Sequence, residues 1–136
     1  MGWRDSLVRL ADYEVEQLRI RLAEIIERRV TAEMQLAMLH AEAEAELHRA
    51  ATDAEAGWYR LGYLEGWRGR RDWAQTQIAA IGAEEAGARD ALARAFEELK
   101  KYEQLKESAL IAERKVEARL ETAELDELGS RRATGK

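Results

Sequence analysis

The chain has 136 residues, with 22 Lys and Arg against 27 Asp and Glu for a net charge of −5. That balance argues against nucleic-acid binding, which calls for a basic excess on one face. It contains no cysteine, which excludes a disulfide framework and thiolate zinc sites and suits a reducing cytoplasm. Ala, Glu, Lys, Leu and Arg supply 84 of the residues and proline is absent. This is the composition of long helices and coiled coils, with nothing to force a break. Such a fold has a linear seam and no enclosed core, so it offers no obvious place for an active site.

The first helix is predicted over about 5–50, capped by Asp5 or Ser6. Alternate steps of three and four residues pick out Val8, Ala11, Val15, Leu18, Leu22, Ile25, Arg29, Ala32, Leu36, Leu39 and Ala43. Only Arg29 is polar in that series. A repeat of 3.5 residues kept over five heptads buries one narrow stripe against a partner helix. A long helix with so thin a stripe is not stable alone in water, so the rest of the chain is the first candidate to cover it. No apolar run approaches the roughly 18 residues of a membrane span, and no signal peptide is read ahead of this helix.

A turn is predicted over 51–57, where Thr52-Asp53-Ala54-Glu55 fits a capping box for a second helix and Gly57 lies just beyond. The main aromatic cluster follows: Trp58, Tyr59, Tyr63, Trp67 and Trp73, interleaved with Gly62, Gly66 and Gly69. Each glycine costs about 1 kcal/mol in a helix interior, so the second helix is expected to begin poorly and firm up later. From Ala74 the repeat resumes: Ala74, Ile78, Ile81, Glu85, Ala88, Leu92, Ala95, Leu99, Tyr102, Lys106, Ala109, Glu113, Val116, Leu120, Ala123. The second helix is predicted over about 58–128, stopped by Gly129. A short, positive, disordered tail is expected over 129–136.

Folding the chain at the turn pairs residues whose numbers sum to about 108. The alanines at 41, 43, 45 and 50 then face Trp58, Leu61, Tyr63, Leu64 and Trp67. Further down, Leu18, Leu22, Ile25 and Ile26 face a stretch rich in alanine between 79 and 91. Large meets small at both ends, as close-packed helices require. A parallel homodimer would instead set like on like. The expected fold is therefore all-α: two long helices in an antiparallel coiled-coil hairpin, one domain over 1–136. Arg29 and Glu85, the polar exceptions on the two seams, come within about two turns of each other. Either they meet and fix the register, or Arg29 snorkels out along the groove.

The arms are unequal, so the second helix overhangs the first by about 30 Å at 1.5 Å per residue. Its stripe of Ala109, Val116, Leu120 and Ala123 lacks cover from within the chain, and Leu110, Ile111, Leu125 and Leu128 sit on neighbouring positions. An uncovered apolar stripe predicts a binding partner. The alternative is a single helix held by its own Glu-to-Lys/Arg pairs. At the tip, Trp58, Tyr59, Tyr63 and Trp67 are of the types that dominate interface hot spots. Five aromatic rings cannot all fit one seam, so two or three are expected outside it. Arg60, Arg68, Arg70 and Arg71, against Glu65 and Asp72, make a local positive patch suited to an acidic partner or anionic lipid.

Catalytic constellations are not found. His40 and His48 are eight residues apart, too far to chelate one ion as an i,i+4 pair does. Serines stand only at 6, 108 and 130, with no histidine placed to activate them. No glycine-rich strand-to-helix turn is present for phosphate, and no cofactor is expected. The reading is of a non-enzyme.

With these residues in view, the chain resembles the flagellar export protein FliJ family, and more distantly its YscO-type relatives in injectisomes. The resemblance rests on Tyr13-Glu14-Val15-Glu16-Gln17-Leu18 with Leu22-Ala23-Glu24, on the aromatic restart from Trp58 to Trp67, and on Lys100-Lys101-Tyr102-Glu103-Gln104-Leu105 with Leu125-Asp126-Glu127-Leu128 and Arg131-Arg132. It implies a cytoplasmic two-helix stalk, peripheral to the inner membrane, that touches the membrane only through the apparatus it serves. Such a stalk would sit in the export ATPase ring with its overhanging helix, meet the cytoplasmic domain of the export gate near the loop, and handle export chaperones. Two other roles fit the residues alone: a self-associating scaffold or tether, and a peripheral membrane module using the arginine-and-tryptophan tip.

Overall fold

The structure is a computed structural model that describes residues 2–52 and 60–134. They form two helices and no strand: α1, Trp3–Thr52, of 50 residues, and α2, Arg60–Thr134, of 75. The fold is an all-α helical hairpin. Most of the predicted turn and its capping box, with Trp58 and Tyr59, lies outside the described residues.

The start of α1 comes from its first residues. Gly2 N donates to Asp5 Oδ2 at 3.3 Å, and Ser6 N donates to Gly2 O at 3.3 Å. Gly2 is thus the cap residue, and Asp5 is the acidic third residue that reaches back to it, one half of a capping box. The helix begins before Asp5 and Ser6, the residues expected to cap it. At the other end, α2 does not stop at Gly129. It runs on to Thr134, no described glycine has a positive φ, and Arg131 Nη2 donates to Glu127 Oε1 at 3.0 Å. The predicted disordered tail is therefore helix as far as 134. Gly129 carries the helix because the left-handed conformation that would end it is not adopted.

Burial follows the repeat. All eleven seam positions from Val8 to Ala43 are buried or half-buried, and so are the α2 positions from Ala74 to Ala109. From Leu110 to Thr134 every residue is exposed.

Contacts divide the chain into two units, Met1–Val15 with Arg94–Lys136, and Glu16–Ala93. In the first, Val15 is 1% exposed, and Ala11, Ala95 and Leu99 are buried with it. Lys106 Nζ lies 2.8 Å from Asp5 Oδ1 and ties α2 to the first turn of α1. Lys106 and the amide of Gly2 together hold the Asp5 carboxyl below its ordinary pKa.

In the second unit, Ile25, Ile81 and Ala88 form the core, with Leu22 and Ala32 packed against them. Branched side chains of one helix thus meet alanine on the other, in both directions. The helices here run antiparallel: Arg28 meets Glu84 at 2.8 Å, while Glu42, later on α1, meets Arg70, earlier on α2, at 3.6 Å. Both of these residue pairs sum to 112, and Arg29 with Glu85 sums to 114. The register is therefore about one helical turn beyond the expected 108, a shift that lets Arg29 and Glu85 meet directly.

Candidate protein-interaction surfaces

At its base the overhang shares a cleft with the start of α1, where Leu110 and Glu113 face Gly2, Arg4 and Asp5; beyond that its residues are exposed. Leu110 is 42% exposed, Leu120 60% and Leu125 67%, with Ile111, Val116 and Leu128 between these limits. At about 100° per residue, Val116, Leu120 and Ala123 continue the line of the seam. Leu110, Leu125 and Leu128 fall on a different side of the helix, with Ile111 beyond them. The apolar surface is thus two-sided, which a single groove could not cover.

The tip residues divide differently from the sequence reading. Trp67, expected among the partner contacts, is only 8% exposed. Its Nε1 donates to the Leu39 carbonyl at 2.7 Å, and its ring meets His40 edge-on at 5.3 Å between centroids. A buried indole needs an acceptor for its N–H, and α1 supplies one from its backbone. Arg71 is half-buried: its guanidinium lies 5.3 Å from the centre of the Trp67 ring, and its Nε and Nη2 bond Asp72 at 3.1 and 2.9 Å. Arg71 therefore packs with Trp67 and shares its charge with Asp72. Tyr63 is half-buried beside Ala43, Leu47, Ala50 and Leu64. Arg68 is exposed.

A surface that the sequence reading did not select lies beside this cluster. Trp73 is 65% exposed, with Met38 66% and Met34 63% exposed on α1. A groove of about 610 Å³ runs past Trp73, lined by Gln35, Met38, Leu39 and Glu42 from one helix and Gly66, Gly69, Arg70 and Ala74 from the other. No atom lies within 4 Å of where a Cβ would sit on Gly66 or Gly69. The missing side chains leave the groove open. The signal was present in Met34 and Met38, which stand out of phase with the seam and so point outward.

Between the helices, Arg29 Nε donates to Glu85 Oε1 at 2.7 Å and Arg29 Nη1 to Glu33 Oε1 at 3.0 Å, while Arg89 Nε donates to Glu85 Oε2 at 3.4 Å. The bond from Arg29 is the main cause that holds the Glu85 carboxyl below its ordinary pKa. Among the described residues no three His, Asp or Glu side chains gather into a metal-holding group. Among the same residues no helix is long and apolar enough to cross a membrane.

The family model described as "Flagellar FliJ protein" matches residues 5–136. Flagellar FliJ proteins from two strains of Caulobacter vibrioides, NA1000 / CB15N and ATCC 19089 / CIP 103742 / CB 15, are each 53% identical over 131 residues. In both, the match covers 96% of this chain and 94% of the relative. No solved structure matches. A family match over residues 5–136, with 53% identity to these relatives over nearly the full length of both chains, places the chain in the flagellar FliJ protein family.

Proposed function

We propose that the chain is a non-enzymatic stalk of the flagellar type III protein export apparatus. It couples the export ATPase to the export gate and handles export chaperones. Its place is cytoplasmic, peripheral to the inner membrane through the apparatus itself. The observation that carries this reading is the two-sided apolar overhang. A helix with Val116 and Leu120 on one side and Leu110, Leu125 and Leu128 on another suits an environment that surrounds it, such as the interior of an ATPase ring. The groove beside Trp73, with the adaptable Met38 on its wall, suits the gate's cytoplasmic domain, since methionine repacks against varied partners.

Full-length chain carrying Leu120→Asp should lose capture of the export ATPase in a pull-down. Leu125→Asp with Leu128→Asp should lose it as well, because both sides are engaged. If only one side matters, the overhang lies in a groove and not within a ring. Undiminished capture by both variants rejects the overhang as the ATPase contact. Sedimentation of the free chain separates a self-associating scaffold from a stalk: a stalk stays monomeric as concentration rises, and a scaffold does not.

A further inference from the structure

Within Glu16–Ala93, the seam positions from Leu18 to Ala43 on α1 and from Ala74 to Leu92 on α2 are all apolar except Arg29 and Glu85. Several of the apolar positions are alanine: Ala32, Ala43, Ala74 and Ala88. Apolar burial is non-directional, and a slip of one heptad sets seam positions on seam positions again. The matching of branched residues with alanine favours the observed register, but a slip still sets apolar on apolar, so aliphatic packing penalises it only through misfit of size.

Within Glu16–Ala93 the other contacts between the helices do little to choose. Arg28–Glu84 and Arg70–Glu42 are pairs of exposed side chains, and such pairs contribute little. Trp67 donates to a backbone carbonyl, and every residue of a helix presents one. Arg29 and Glu85 differ in both respects. They meet at 2.7 Å with side chains only 29% and 16% exposed. A slip of one heptad would leave Arg29 facing Leu92 or Ile78, and Glu85 facing Leu22 or Leu36. Both charges would then be half-buried without each other, which is the costly arrangement.

We infer that the Arg29–Glu85 pair is the register lock of the helix pair within Glu16–Ala93, selecting the observed alignment from those one heptad away. The Glu33 carboxylate and the Arg89 guanidinium that flank it give each partner one further bond.

The test uses the full chain, which has no cysteine of its own. Spin labels go on Gln35→Cys and Gln77→Cys, whose parent residues line one groove across the two helices. A slip of seven residues displaces the labels by about 10 Å along the helix axis. The labelled chain should give one inter-label distance. Arg29→Leu with Glu85→Leu should remain as helical by circular dichroism yet give a second distance, with the two populations within about tenfold of each other. Should that variant fold poorly, Arg29→Met with Glu85→Met provides flexible side chains that fit either alignment and should give the same two distances. Trp67→Phe, with the charged pair intact, should keep one distance. A single unchanged distance in the folded apolar variants overturns the inference, and so does a second distance in Trp67→Phe alone.

Discussion

At the scale of single residues, a few polar contacts join an otherwise apolar seam. Trp67 joins α2 to the α1 backbone through one hydrogen bond of 2.7 Å. Trp67→Phe removes the donor and part of a buried ring, and thermal unfolding should report a loss of at least about 0.5–1.5 kcal/mol from the hydrogen bond alone. The carboxyls of Glu85 and Asp5 are both held below their ordinary pKa, by Arg29 and Lys106 respectively. Groups with a depressed folded pKa stabilise above the unfolded value, and that contribution is lost as pH falls through the folded one. The melting temperature should thus be level near neutrality and decline below about pH 5, and Glu85→Gln should flatten part of the decline. The meeting of Arg29 with Glu85 was legible in sequence as two polar exceptions to one repeat. The fate of Trp67 was not, because hot-spot composition cannot tell a ring that caps a seam from one that faces outward. Only the position of the Leu39 carbonyl does that.

At the scale of elements, the 3.5-residue repeat identified both helices and, Trp67 apart, the buried seam positions among the described residues, since one narrow stripe is all that two paired helices can cover. Their ends were less legible. Gly129 reads as a stop, yet glycine only permits the left-handed turn and does not impose it. Gly62, Gly66 and Gly69 lie within α2 with open space where a Cβ would be. Replacing any one by alanine should stabilise the chain by about 0.5–1 kcal/mol in chemical unfolding. At Gly66 and Gly69 the same change should narrow the groove beside Trp73 and, on the proposed gate contact, weaken capture of the gate's cytoplasmic domain, whereas Gly62→Ala should not affect it. Ala43→Trp is expected to do the opposite to stability. Ala43 lines a small cleft with Tyr63 and Leu64, and overpacking it should cost about 1–3 kcal/mol. An unchanged unfolding curve for Ala43→Trp would show that these helices do not pack there.

At the scale of the whole molecule, α2 is 75 residues long against 50 for α1, and the excess is exposed from Leu110 onward. That inequality, already visible in the sequence as a repeat that outruns its partner, leaves apolar side chains available for another protein. Membership of the flagellar FliJ family gives those side chains a setting, and the two-sided overhang gives the proposed stalk a part to insert. The direct measurement is capture of the export ATPase by the chain truncated after Lys106, compared with the full chain at equal helicity per residue. Retained folding with capture lost is the predicted result. Capture by the truncated chain as strong as by the full one would contradict it.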